Sequence, residues 1–346
     1  MGPVRVRSTA PLRISFVGGG TDFPHYYERN GGAVLSATID RAAHALVVPR
    51  EDREVRIRSL DLGHLVGYHL DDGPTYDGVM DLAKAAIQRM GLDIGLEVDL
   101  RSDAPPGSGL GGSSALVTAV VGALAALDDR PMSADELARL AYSIEREDLG
   151  IAGGWQDQYA AAFGGFNLIE FGTPGAAVNP VECPPERLEQ LRSNLLLCYT
   201  GAVRTDLGLI DTQIRLYREG REETIVGMKH LHEMAYEMRD VVGSGDLDDL
   251  GPLLQAAYEN KKLMNPHIAD GTPIERLFEI AREAGALGGK ICGAGGGGYL
   301  LLYCRPDRQP EVRQALEAHG GRFADFAFSI RGVRARIGDR LWTPAR

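Results

Sequence analysis

Glycine limits this chain most, through where it collects. Four knots stand out: Gly18-Gly19-Gly20, Gly107 to Gly112, Gly150 to Gly165, and eight glycines between Gly285 and Gly298. The total, 44 of 346 residues, is about 13%, against ~7% in average usage. Spread evenly, that excess would mean loops. Gathered into knots, it marks places where the backbone must turn through positive φ or come close to something. Ligands are therefore expected there.

The pattern between the knots reads as α+β. Leu12, Ile14 and Phe16 alternate with Arg13, Ser15 and Val17 up to Gly18, as in a strand ending in a tight loop. Runs at 34–40, 45–48, 55–60 and 96–100 also lean to strand, with one helix near 80–90 and no regular βαβ rhythm. From Ser113 the chain becomes an Ala, Val and Leu helix with almost no polar face, which predicts a helix enclosed on all sides. Ser133 and Glu136 form a capping box. Leu137, Leu140, Ala141, Ile144 and Asp148 follow at helical spacing, with Glu145 and Glu147 in the last two turns before Gly150. After a Pro-rich break at 180–185, long charged helices are predicted at 206–219 and 222–242. A strand at 299–304, a helix through 318 and a strand-like stretch at 323–334 complete the chain. The domains are expected to be 1–190 and 191–346, in line with ~150 residues per domain.

Composition removes several classes of function. The formal net charge of −11 opposes binding to nucleic acid or anionic lipid. The uncharged run 104–127 begins with Pro, Gly and Ser, and its apolar part from 115 is too short to cross a bilayer. Cys183, Cys198, Cys292 and Cys304 show no CxxC spacing, and no apolar signal segment follows Arg5 and Arg7, so a reduced, cytoplasmic setting is expected. His230 and His232 lie two apart on a predicted helix and face different ways, so they are not a metal pair.

The segment from Asp103 to Ser114 follows a strand and opens a helix. Gly107, Gly109 and Gly112 fit a literal GxGxxG, but the βαβ context of a dinucleotide fold is missing. Gly107 and Gly112 have Walker A spacing, yet Ser113 stands where that loop needs Lys. What remains is general: small residues let successive N–H groups point inward, and the helix start adds its positive dipole end. An anion belongs there, although such a turn could also only pack a helix on a sheet.

Three motifs then carry a resemblance. Pro11-Leu-Arg13 with Gly18-Gly-Gly-Thr21-Asp22, Pro105-Pro-Gly-Ser-Gly-Leu-Gly-Gly-Ser-Ser114, and Gly293-Ala-Gly-Gly-Gly-Gly298 resemble, in order and spacing, those of the GHMP kinases. The Gly-Gly-Gly-Thr-Asp22 run, Ile144 to Ile151 and Gly153 to Phe166 are most similar to the heptose 7-phosphate kinases of that family. The resemblance implies a two-domain fold, with an N-terminal domain like ribosomal protein S5 and a ferredoxin-like C-terminal domain. It implies ATP held by Pro105, Gly107, Ser108, Gly109, Leu110, Gly111, Gly112, Ser113 and Ser114, and Mg²⁺ held by Ser114 and Glu145, with Glu147 as a spare. Asp157, expected in a Gly-flanked turn, would be the base or hydroxyl-orienter, and Arg13 would sit near the transferred phosphoryl.

Gly19, Gly20, Thr21, Asp22, Gly153 and Gly154 would border the sugar. Arg204, Lys261 and Lys262 are candidates for a phosphate already on the substrate, with Lys290 also available. Trp155 could stack on a sugar or fill core. The expected activity is ATP-dependent phosphorylation at C1 of a small-molecule sugar phosphate, D-glycero-D-manno-heptose 7-phosphate, by a monomer or homodimer. A fucose- or hexose-type anomeric kinase, a non-catalytic sugar and nucleotide sensor, and an RNA-binding module remain as alternatives.

Overall fold

The computed structural model describes residues 4–173, 175–203, 208–270 and 272–346. The first half contains β1 (Val6–Val17), α1 (Pro24–Asn30), β2 (Gly32–Arg50), β3 (Glu54–Ser59), β4 (Leu65–His69), α2 (Asp81–Met90), β5 (Gly95–Ser102), α3 (Gly112–Leu127) and α4 (Ala134–Ser143). A π-helical turn (Ile144–Asp148), α5 (Gln156–Phe163), β6 (Phe166–Gly172) and β7 (Gly175–Pro180) complete it. Then come α6 (Pro185–Ser193), β8 (Leu195–Val203), α7 (Leu209–Arg218), α8 (Glu222–Gly243), α9 (Leu250–Met264), α10 (Ile274–Ala284), β9 (Gly288–Ile291) and β10 (Gly297–Tyr303). α11 (Gln309–Glu317), β11 (Arg322–Ala324), β12 (Arg334–Ile337) and β13 (Arg340–Trp342) end the chain.

The first sheet runs β13-β12-β1-β2-β5-β3-β4, and β6 with β7 branches from β2. The two β-leaning runs at 34–40 and 45–48 are one strand, β2, of 19 residues. It pairs with β1 along one edge, while on the other its first part pairs with β6 and its second with β5, so a single strand serves three neighbours. Beneath it lies α3, whose side chains are buried almost throughout from Ala115 to Ala126. The helix is enclosed, as its uniform apolarity requires. The capping box at α4 is present: Glu136 N donates to Ser133 Oγ at 3.1 Å, and Ser133 N donates to Glu136 Oε2 at 2.7 Å.

The second sheet is antiparallel, in the order β11-β8-β10-β9. Its strands follow the chain pattern strand, helices, strand, strand, helix, strand, the split βαβ arrangement of a ferredoxin-like unit. Two features differ from expectation. Residues 323–334 are not one strand. β11 ends at Ala324, and the chain then leaves the second sheet for the first, with Ser329 N donating to Thr38 O at 2.8 Å and Phe326 and Phe328 packing near Phe16 and Phe166. A segment that changes sheets cannot stay in one ladder. β12 then pairs antiparallel with β1, so residues 334–342 complete the first sheet although they end the chain.

Candidate active site

A cavity of about 950 Å³ opens between the two halves, lined by the first three glycine-rich motifs on one side and by α7, α9 and the β9–β10 turn on the other. The loop 105–111 enters α3, with Gly107, Gly109 and Gly111 all at positive φ. Gly109, at φ +80°, has an added reason to be glycine: a Cβ there would fall 2.6 Å from the Cys292 carbonyl carbon and oxygen. In return, Gly293 would place a Cβ 2.5 Å from Gly109 Cα, and Gly298 one 2.4 Å from Ser108 O. Tyr299 N donates to Ser108 O at 3.0 Å. The two glycine knots are therefore packed backbone to backbone. The last motif acts as a buttress that shapes the loop.

Arg13 leaves β1 beneath this loop. Its Nη1 donates to Gly109 O at 2.6 Å, while Nε and Nη2 hold Asp157 Oδ1 at 2.7 and 2.6 Å. The arginine side chain is 5% exposed and Asp157 21%, so the pair is fixed while the carboxylate still faces the cavity. Asp157 stands in the first turn of α5 rather than in an irregular turn. There the positive end of the helix dipole favours its charge.

The next residue, Gln158, points to a second cluster. Ser114 Oγ donates to Glu145 Oε2 at 2.5 Å, and Gln158 Nε2 donates to both, to Ser114 Oγ at 3.0 Å. The π-helical turn that extends α4 carries Glu145 to this place; such turns widen the backbone and re-aim a side chain. Burial pushes the Glu145 carboxyl above its ordinary range, against the charge of Arg146 and the hydrogen bonds from Ser114 and Gln158. Glu147, the spare, does not line the cavity.

Asp22 is fully buried and accepts from Gly20 N at 3.0 Å, Gln156 N at 3.1 Å and Gln156 Nε2 at 3.3 Å. Burial raises its pKa, while the two backbone donors act in the opposite sense. Gly154 makes room for it: a Cβ there would fall 2.0 Å from Asp22 Oδ2. Gly153 and Gly19 also line the cavity.

Other expected site residues stand elsewhere. Thr21 is buried and ties the turn together, its hydroxyl donating to Gly18 O at 2.8 Å, and it does not reach the cavity. Leu110 is likewise buried as core beneath the loop. Lys262 faces outward on α9 and pairs with Glu259 at 2.9 Å and Glu275 at 3.1 Å, away from the cavity, because its neighbour Lys261 takes the inner face. Trp155 stacks on Tyr142 with centroids 3.6 Å apart, as core. Arg204 lies outside the described residues.

Lys261 and Lys290 both line the cavity and are nearly fully buried. Lys261 Nζ donates to Gly293 O, and Lys290 Nζ to Ser15 O at 2.6 Å. Burial, reinforced by the charge of Lys290, lowers the Lys261 pKa to about 7, and burial lowers that of Lys290 to about 8. An unfolded lysine keeps its proton to pH ~10.4. Between about 7 and 8.5 the unfolded chain binds more of these lysine protons than the folded one, so stability should rise with pH until the buried thiols Cys198, Cys292 and Cys304, whose pKa values burial raises, begin to act in the opposite sense. Below that interval the cost is fully present and constant. Melting curves of the ligand-free protein should show Tm rising from pH 7 to 8.5, with a smaller rise in Lys261→Met. Equal slopes in the two proteins would remove Lys261 as the source.

Residues 78–165 match the GHMP kinases N terminal domain and residues 235–322 the GHMP kinases C terminal domain. Over 95% of this chain and 98% of the relative, the sequence is 34% identical to the D-glycero-alpha-D-manno-heptose 7-phosphate kinase of Campylobacter jejuni. The chain is a GHMP kinase. It is also similar to a solved structure described as a D-glycero-D-manno-heptose 1-phosphate kinase from Bacteroides thetaiotaomicron, with a TM-score of 0.79 and 30% identity, covering 96% of this chain and 98% of that one. A putative sugar kinase from Campylobacter jejuni superposes with a TM-score of 0.76 and 31% identity, over 97% and 99%. This GHMP kinase is thus a sugar phosphotransferase, and the names of its relatives differ in where the heptose carries its phosphate. Among the described residues no helix is long and apolar enough to cross a membrane.

Sequence reasoning missed Gln156, Gln158 and Gln213 as cavity or cluster residues. Glutamine carries no motif signal. Only the position of the first two, beside Asp157, could have drawn attention to them.

Proposed function

We propose that this GHMP kinase transfers the γ-phosphoryl group of ATP to the anomeric C1 hydroxyl of D-glycero-D-manno-heptose 7-phosphate, giving the 1,7-bisphosphate. The observation that carries the reading is the Arg13–Asp157 pair, tied to the phosphate loop through Gly109 O and opening on the cavity that Asp22 also lines. The loop amides and the α3 N-terminus suit the triphosphate, and the apolar rim of Leu62, Tyr76, Met80 and Leu116 suits a base. Asp157 orients the C1 hydroxyl and takes its proton as the new bond forms, while Arg13 faces the charge spread over the moving group. Asp22 accepts from sugar hydroxyls, and Lys261 is the cation for the acceptor's own phosphate. The heptose is favoured by the 34% identity to the Campylobacter jejuni enzyme over nearly the whole chain.

The Ser114–Glu145 pair suits Mg²⁺. Two hard oxygens meet at the cavity wall, and a cation that takes few ligands from protein needs no more. No group of three or more His, Cys, Asp or Glu side chains that could hold a metal occurs among the described residues, so any binding must be shared with phosphate and water. Held by Ser114 and Glu145, Mg²⁺ would supply charge that offsets that of the phosphates. Ser114→Ala should move the half-saturating Mg²⁺ concentration upward by about tenfold, equivalent to ~1.4 kcal/mol; an unshifted Mg²⁺ titration would remove Ser114 from the metal site.

Phosphorus NMR of the products formed from ATP and a panel of sugars and sugar 7-phosphates tests the whole reading. A 1,7-bisphosphate formed from the heptose 7-phosphate is the expected product. Faster turnover of free fucose or a free hexose would overturn the heptose assignment in favour of another anomeric kinase.

A further inference from the structure

Beside Gly20, on the acceptor side of the cavity, the fold leaves a side-chain amide unpaired. Gln213 lies in α7, is 5% exposed and lines the cavity. Its Nε2 is buried and has no hydrogen-bond partner among the described residues. A Cβ on Gly20 would fall 2.5 Å from that nitrogen and 2.9 Å from Met264 Sδ, so the amide rests directly against the Gly-Gly-Gly turn. On the other side of the same turn, Gln156 uses its Nε2 on Asp22 and leaves a buried Oε1 without a partner among the described residues. Gly19 would bring a Cβ within 3.2 Å of the Gln156 amide nitrogen.

A buried donor and a buried acceptor left open in one cavity are a standing cost to the ligand-free fold. A polyhydroxylated ligand removes that cost because each hydroxyl both gives and receives a hydrogen bond. The surroundings of Gln213 select against a charged group. Ile210, one turn before it on α7, and Met264, which with it flanks Gly20, are apolar, and the cations that line the same cavity are directed to other groups, Arg13 to Asp157 and Gly109 and Lys290 to Ser15, with Lys261 left for the acceptor's phosphate.

We propose that Gln213 is a specificity-determining residue of the acceptor site, its Nε2 donating to one neutral hydroxyl oxygen of the sugar held by Asp22 and Gln156. The inference rests on the reading of a sugar acceptor at Asp22, and it does not depend on which sugar that is. α7 thereby takes part in choosing the acceptor although it carries none of the three family motifs.

The test uses the full chain and whichever sugar of the panel the wild type phosphorylates best, so that failure of the heptose assignment leaves it intact. Gln213→Met keeps length and apolar packing while deleting the donor, and Gln213→Glu keeps an acceptor in its place. In both, kcat/KM for the sugar should fall about tenfold or more, the scale of one lost hydrogen bond, with the KM for ATP within about twofold. Against monodeoxy analogues of that sugar, the wild type should lose the same factor for one particular hydroxyl. Gln213→Met should lose nothing further for that hydroxyl, since its partner is already gone. An unchanged sugar kcat/KM in folded variants would overturn the proposal, as would a loss spread evenly over every deoxy analogue. Failure of both variants to melt cooperatively would assign the amide to internal packing, with the same result.

Discussion

Asp157→Asn should lower kcat by ~10² or more while leaving the KM for ATP nearly unchanged. The amide keeps the size of the carboxylate and can still accept from Arg13, so the geometry set by the 2.6–2.7 Å contacts to Oδ1 has little reason to move. It cannot take up a proton, and it leaves Arg13, 5% exposed, without its counter-charge. The loop proposed for the nucleotide is held by other contacts, through Gly109 and Leu110, whose carbonyls accept from Arg13. Steady-state kinetics with both substrates varied would separate the two effects. An unaltered kcat would take Asp157 out of the proton transfer, and a parallel collapse of ATP binding would make it a structural partner of Arg13 only.

The second large effect is expected at a residue that touches no reacting atom. Gly109→Ala places a methyl 2.6 Å from the Cys292 carbonyl, at a φ of +80°. The left-handed backbone alone costs ~1–2 kcal/mol, and overlap with fixed main chain adds about 1–3 kcal/mol. Neither knot can yield easily, because Tyr299 N and Ser108 O hold them together at 3.0 Å. The variant should melt at a clearly lower temperature and bind ATP at least tenfold more weakly. Gly63→Ala, where positive φ also applies but nothing lies within 4 Å, serves as control and should show the backbone cost without the loss of ATP binding. Equal behaviour of the two variants would dismiss the interlock as the cause.

The glycine-rich loop before α3 was readable in the sequence because its pattern is local. Gly107 to Ser114 carries its own turn residues, hydroxyls and helix start in eight consecutive positions. Ser133 and Glu136 likewise announce α4 by themselves. The partnership of Ser114 with Glu145 spans 31 positions, and that of Arg13 with Asp157 spans 144. Neither follows from spacing; both came from the resemblance and now stand on distances. Lys261 and Lys262 were indistinguishable as neighbours on a charged helix until packing turned one inward and the other toward Glu259 and Glu275. Thr21 shows the reverse case. It sits inside a motif, but its hydroxyl holds the turn rather than a ligand. The return of β12 to β1 was hidden for another reason: a strand of four residues carries little periodicity, and pairing across the entire chain leaves no local trace.

The mutual fit of Gly109 with Gly293 also has a bearing on synthesis. A nascent chain emerges from the ribosome with Gly107 to Ser114 long before Gly293 to Gly298, and domains generally begin to fold in that order. Until the later residues arrive, nothing backs Ser108 and Gly109, and the first sheet still lacks the strands that finish on β1. A product cut short before Gly293 would therefore lack the backing that shapes this loop. Translation must pass Gly298 before the first glycine-rich turn can settle into its final form.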